Sequence, residues 1–215
     1  MMNSIEIAEL SQIDGDAYAQ LSTLIIKTWE YDDWLEDDQV SPMAEYFLND
    51  IILSSQKIYV ARCAQQIIGI ITVGQSPDFL YESQFSYKRL TAMSALIARN
   101  GKSEVFAQYI DTLRVNQRLL QRTHRHYHAS LNFFAIDAQF RGLGLGNRLY
   151  HQFITYLQAQ GIDTFFVFTD SSSNYQFYEK KGLHKIASET FYWRDEDEVE
   201  EYYLYEGHLA ATPVE

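Results

Sequence analysis

The sequence predicts an α/β (α+β) fold in a single domain. Three observations carry that reading. Short apolar runs, alternating or continuous, recur at 4–10, 57–74, 128–136 and 164–169, and again over 184–207. Longer segments between them place apolar residues at the three- and four-residue steps of an amphipathic helix. A glycine-rich turn, Gly142-Leu143-Gly144-Leu145-Gly146, joins one strand directly to one helix. The 215 residues suit one domain, 1–215, and a chain of that size buries roughly 70% of its unfolded surface.

Taken in order, Ile5 and Ile7 alternate with polar neighbours as a first strand. Ala17, Leu21, Leu24, Ile25 and Thr28 share a helix face. Pro42 suits the first turn of a second helix, which continues through Tyr46, Phe47 and Ile51. Residues 57–63 and 67–73 read as a hairpin turning at Ala64-Gln65-Gln66. Residues 76–126 hold no strand-like run. They read as a helical pair inserted between the third and fourth strands, with Leu90, Met93, Leu96 and Ile97 on the first helix, closed near Asn100-Gly101. Ser103 is the expected cap of the second, with Phe106, Tyr109, Ile110, Leu113 and Leu120 on one face. Such an insertion suits a lid over a pocket or a homodimer interface.

The next strand is expected from His128, with His128, Ser130, Asn132, Phe134 and Ile136 facing one side and Ala129, Leu131, Phe133 and Ala135 the other. After the glycine-rich turn, Leu145, Leu149, Phe153 and Leu157 step along a helix that Gly161 ends. Thr164–Thr169 is a buried strand, 170–174 a polar turn, and a short helix runs to Lys181 before Gly182. Residues 184–207 form a last hairpin.

Charge narrows the function. The chain has 17 Lys+Arg against 29 Asp+Glu, a formal net charge of -12. Broad nucleic-acid binding needs a basic face, and so does docking on anionic lipid; neither is expected. Six acids lie at Glu30, Asp32, Asp33, Glu36, Asp37 and Asp38, and six more within 195–201. Outside these two segments acids and bases balance. Cys63 is the single cysteine, which excludes an intrachain disulfide and suits a reducing, cytoplasmic setting. No basic-then-apolar leader opens the sequence, and no apolar run approaches the ~18 residues of a membrane span.

A strand, a glycine-rich turn and a helix N-terminus make an anion site, because free N–H groups and the helix dipole face the ligand. A P-loop would end in Gly-Lys-Ser/Thr, where this turn has Asn147-Arg148. A dinucleotide fingerprint would need a third glycine at Asn147 or Leu149. A third pattern fits. Gln139-Phe140-Arg141-Gly142-Leu143-Gly144 matches Q-x-x-G-x-G, and Asn174-Tyr175-Gln176-Phe177-Tyr178-Glu179-Lys180-Lys181-Gly182-Leu183 matches a Y-E-K-x-G-F type segment. Both motifs, and the order of elements around them, resemble the GNAT superfamily of N-acetyltransferases over most of the chain outside 76–126. Ala138 stands where members commonly have Pro, and Leu183 where they have Phe.

The resemblance implies a mixed, mostly antiparallel sheet of six to seven strands flanked by helices and splayed between strands four and five. It implies acetyl-CoA as co-substrate, with no metal. The backbone around Phe134, Ala135 and Ile136 would meet the pantetheine arm. The N–H groups of Arg141, Gly142, Leu143, Gly144, Leu145, Gly146 and Asn147 would hold the diphosphate. Members often carry Asn seven residues before the motif tyrosine; here Ser171 stands there, and Asn174 is favoured as the polar contact instead. Tyr178 matches the usual general acid toward the departing thiolate, and a phenol with a reference pKa of ~10 keeps its proton at neutral pH. The carboxylate base of several members is replaced by Ser130. His128, with a reference pKa of ~6.5, is one substitute, and a merely solvated strand-start histidine is the equal alternative. His124, His126 and His128 lack a further metal ligand. The acceptor segment corresponds to the first acidic run, where Asp32, Asp33, Trp34 and Asp37 suit a small cationic amine of polyamine or amino-sugar type. A protein amine, and a non-catalytic acyl-CoA-binding module, are the rival readings.

Overall fold

The computed structural model describes residues 4–74, 84–98, 104–193 and 199–209. The helix end at Asn100-Gly101, the Ser103 cap and most of the second acidic run fall outside them. Among the described residues seven strands hydrogen-bond in the order β1-β2-β3-β4-β5-β7-β6, with helices flanking the sheet. They are β1 (Ile5–Glu9), β2 (Ser55–Cys63), β3 (Gln66–Gly74), β4 (Ser130–Ile136), β5 (Thr164–Asp170), β6 (His184–Tyr192) and β7 (Val199–His208). The β1–β2, β2–β3, β5–β7 and β6–β7 pairs are antiparallel. β4 and β5 run parallel, with Ser130 opposite Phe166 and Leu131 opposite Val167. The helices are α1 (Gly15–Trp29), α2 (Tyr31–Trp34), α3 (Asp37–Ser54), α4 (Gln84–Ile97), α5 (Glu104–Thr123), α6 (Leu145–Ala159) and α7 (Gln176–Lys180).

The chain divides into two compact units. One comprises Met1–Arg99 and Asn132–Tyr156, the other Asn100–Leu131 and Leu157–Glu215. In the first, Asp14 caps α1 by accepting the Ala17 N–H at 2.8 Å. α1 ends at Glu30 in the left-handed region (φ 52), which turns the chain at once into α2. α3 begins at Asp37, not at Pro42. The proline sits one turn further in, and the acids Asp37 and Asp38 fill the first turn, where they favour the helix dipole. β3 is buried along Ile67–Gly74, as its unbroken apolar run requires. The buried residues of this unit include Leu21, Leu24 and Ile25 of α1, Leu48 and Ile51 of α3, and Ile68, Ile70 and Ile71 of β3.

The two inserted helices go to different units. α4 packs against α3, fastened by Arg89 to Asp50 at 2.7 Å. In the second unit, α5 packs on β6 and β7: Val115 and Leu119 meet Tyr202 and Leu204, with Phe166, Phe168, Ile186 and Phe191 around them. Glu189 of β6 takes Arg118 and Arg122 of α5 together. Arg118 beside it, with Arg122, outweighs the opposing effect of burial and holds its carboxyl below the usual range. The C-terminal half of the insertion is therefore core to its unit. No helix among the described residues is long and apolar enough to cross a membrane.

Candidate functional site: an anion loop, an acidic aromatic segment and a tyrosine helix

β4 keeps the expected alternation from Leu131 onward, while Ser130 at its start is buried rather than on the open side. Leu131, Phe133 and Ala135 are buried, while Asn132, Phe134 and Ile136 face the more open side. Strand structure starts two residues later than the alternation suggests. His128 lies before it, exposed in a bend, and the neighbouring Tyr127 turns inward instead, its ring on Phe166 and its hydroxyl 3.3 Å from Glu206.

At the other end of β4 the chain enters the glycine-rich loop through Asp137. Its N–H donates to Ile68 O of β3 at 2.9 Å and its carbonyl accepts the Phe140 N–H at 2.9 Å. Its carboxylate accepts the Gln139 N–H at 3.0 Å and the Lys27 ammonium of α1 at 3.0 Å. Burial alone would raise this carboxyl's pKa and is the largest single effect. The Gln139 N–H, Lys27 and Arg141 together outweigh it and hold the pKa below the ordinary value. A single turn of 3-10 helix, Ala138–Phe140, follows.

Gly142 and Gly144 then take φ of 80° and 74°, in the left-handed region that only glycine enters freely. A Cβ at either would meet nothing within 4 Å, so the space beside the loop is open. Arg141, Gly142, Leu143, Gly144 and Asn147 are exposed, whereas Leu145 is buried as the first residue of α6 and Gly146 lies inside its first turn. The first N–H groups of this 15-residue helix have no partner within it, which suits them to an anion. Arg141 folds its Nε onto Ile136 O at 3.3 Å, and Arg148 reaches Ile5 O at 3.0 Å, so both guanidinium groups also make main-chain contacts. The loop's base is pressed close to β3. A Cβ on Gly69 would lie 3.2 Å from Leu149 and 3.3 Å from Ala135 O.

The acidic segment belongs to the same unit. Trp29, closing α1, stacks on Phe133 of β4 with centroids 5.2 Å apart and meets Phe47 edge-on at 4.4 Å. Trp34 donates its Nε1–H to Trp29 O at 2.7 Å, lies 5.4 Å from the Tyr31 ring, and remains 50% exposed. Tyr31 itself is buried, and that burial pushes its phenol above the ordinary value. Asp32, Asp33 and Asp37 are exposed. A line of aromatic contacts thus runs from β4 out to a rim of carboxylates.

In the second unit, the turn after β5 is folded on Asp170, whose Oδ1 accepts the Ser172 hydroxyl at 2.7 Å and the Ser173 N–H at 2.8 Å. Ser171 is committed to β7: its N–H donates to Glu201 O at 2.8 Å and its Oγ accepts the Glu201 N–H at 3.1 Å. Asn174 is exposed, with its carbonyl accepting the Phe177 N–H at 3.1 Å. α7 is only five residues long, yet it holds Tyr178 buried (9% exposed). The Tyr205 hydroxyl of β7 donates to Glu179 at 2.8 Å, and the Tyr178 and Tyr205 rings lie 6.2 Å apart. Leu183 N–H closes the helix on Tyr178 O at 3.0 Å.

Each motif therefore sits on the element expected for it. Asp137 and Lys27 meet at the entry to the loop, and the sequence signals neither, beyond an acid standing beside the glycine-rich turn. A family model described as "Acetyltransferase (GNAT) family" matches residues 23–183. No curated protein matches the chain. Among solved structures, a Pyrococcus horikoshii protein is 16% identical with a TM-score of 0.59, covering 96% of this chain and 99% of its own. The ribosomal-protein-S18-alanine N-acetyltransferase of Escherichia coli is 11% identical with a TM-score of 0.56, covering 99% of each chain. The PaiA N-acetyltransferase of Thermoplasma acidophilum, solved with coenzyme A, is 13% identical with a TM-score of 0.52, covering 96% of this chain and 99% of its own. These likenesses show the fold, and the family match shows the kinship: the chain is an acyltransferase belonging to the GNAT family of acetyltransferases.

Proposed function

We propose that this acyltransferase moves an acetyl group from acetyl-CoA directly to a primary amine, and that the acceptor is a small cationic amine of polyamine or amino-sugar type. The observation carrying the acceptor class is the segment 30–38. Its carboxylates are exposed beside Trp34, and Trp34 is tied through Trp29 to Phe133 on the motif strand. Carboxylates beside aromatic faces attract a desolvated ammonium ion.

When bound, acetyl-CoA supplies a thioester whose C–S bond breaks as the amine forms a C–N bond. The open loop, with Gly142 and Gly144 in the left-handed region, and the first N–H groups of α6 suit its diphosphate. The backbone of Phe134, Ala135 and Ile136 serves the pantetheine arm by resemblance. Asn174 is the proposed polar contact by resemblance; the commitment of Ser171 to β7 supports that choice. His128 is proposed to receive the proton that the amine must lose, as an exposed imidazole able to pass it to water. Tyr178 is proposed to give its phenolic proton to the departing thiolate and to regain it from solvent.

Replacing Asp32, Asp33 and Asp37 by Asn tests the acceptor class. With spermidine or an aminoglycoside as acceptor, KM should rise about tenfold at low salt and less at high salt, with KM for acetyl-CoA unchanged. An unchanged acceptor KM removes the cationic-amine reading.

A further inference from the structure

The route by which the chain enters the anion loop contains an electrostatic contradiction. Asp137 lies five residues before Gly142, and its buried carboxylate (6% exposed) caps the turn leading there. A fixed negative charge beside a cradle meant for a diphosphate would weaken the anion it serves. Its partner comes from far away in sequence: Lys27, 110 residues earlier on α1, places its ammonium 3.0 Å from the carboxylate and is itself half-exposed. The two line a cleft of about 90 Å³ together with Gln20, Thr23, Gln66 and Ile67. Gln20 braces its other wall by accepting the Ile67 N–H at 2.7 Å.

We infer that Lys27 and Asp137 are positioning residues for the diphosphate loop: Asp137 pins the loop's entry to β3 and caps its first turn, and Lys27 cancels the charge that the pin introduces. Four hydrogen bonds at Asp137 carry the pinning, two through its main chain and two through its carboxylate. Of these, only the bond to Lys27 requires a charged acceptor. An amide oxygen at position 137 could still take the Gln139 N–H. The two halves of the role can therefore be separated by substitution. The inference rests on the reading of acetyl-CoA as the co-substrate.

The test is calorimetric binding of acetyl-CoA to the full chain, which needs no acceptor. Lys27→Met removes the cation bonded to the carboxylate and leaves only the more distant Arg141 charge to offset it, and Kd should rise about fivefold at low salt and less at high salt. Lys27→Met with Asp137→Asn keeps the turn cap and removes the charge, so Kd should return to within about twofold of wild type. Asp137→Ala, which loses the cap, should weaken binding even with Lys27 present. A purely structural ion pair would instead lower thermal stability in each variant without restoring affinity in the double one. If the wild type binds acetyl-CoA and Lys27→Met binds it equally well, or the double variant binds no better than Lys27→Met, the positioning role is wrong while the co-substrate reading stands. If the wild type does not bind acetyl-CoA, both fall.

Discussion

Tyr178→Phe should lower kcat by roughly a hundredfold or more, the range of a lost general acid, and leave the affinity for acetyl-CoA within about twofold. The substitution removes the hydroxyl and keeps the ring. The ring keeps its contacts with Phe177, 5.7 Å away, and with Tyr205. α7 keeps the fastenings that make so short a helix stable here, the Tyr205–Glu179 hydrogen bond and the Leu183 closure onto residue 178. An isolated helix of this length would not form. A fall in kcat that spares acetyl-CoA affinity therefore reports the hydroxyl, not the ring packing. The deficit should shrink with an acyl donor whose leaving thiol is more acidic, because such a thiolate departs without help. A loss that is the same for both donors, or that appears entirely in acetyl-CoA binding, removes Tyr178 from the acid role.

Gly142→Ala combined with Gly144→Ala should weaken acetyl-CoA binding about thirtyfold to a thousandfold. Each residue holds a left-handed φ, where an L side chain costs about 1–2 kcal/mol. The loop relieves that strain by leaving the cradle geometry, and re-forming it on binding then costs up to about 2–4 kcal/mol. Because a Cβ at either position meets nothing within 4 Å, the protein itself has room for both methyl groups. The fold should survive with only a modest drop in Tm. Retained affinity would show that the loop does not hold the diphosphate in this conformation.

The sequence and the structure agree best where chemistry is local. The alternation along 131–136, the glycine-rich turn and the tyrosine helix are each set within a dozen residues, so spacing alone reveals them. Agreement fails where position depends on distant partners. Pro42 is a good helix opener, but the acids before it extend α3 back to Asp37. His128 continues an alternating pattern that the strand does not follow, because Tyr127 is the side chain with a buried hydroxyl partner and a ring to pack on. The insertion reads as one helical pair by periodicity. Its apolar faces do not state which surface they meet, and α4 and α5 serve different units. The Lys27–Asp137 bond spans 110 residues and leaves no local trace. The acidic run is legible as charge, while its tie to β4 through Trp34, Trp29 and Phe133 is a product of folding.

Release of free CoA thiol from acetyl-CoA, followed across a panel of amines alongside mass detection of the acetylated product, tests the central claim most directly. Thiol should appear in step with N-acetylated amine, fastest for small polycationic acceptors, and Tyr178→Phe should suppress it. An enzyme that binds acetyl-CoA yet releases no thiol above spontaneous hydrolysis with any amine in the panel would contradict the account.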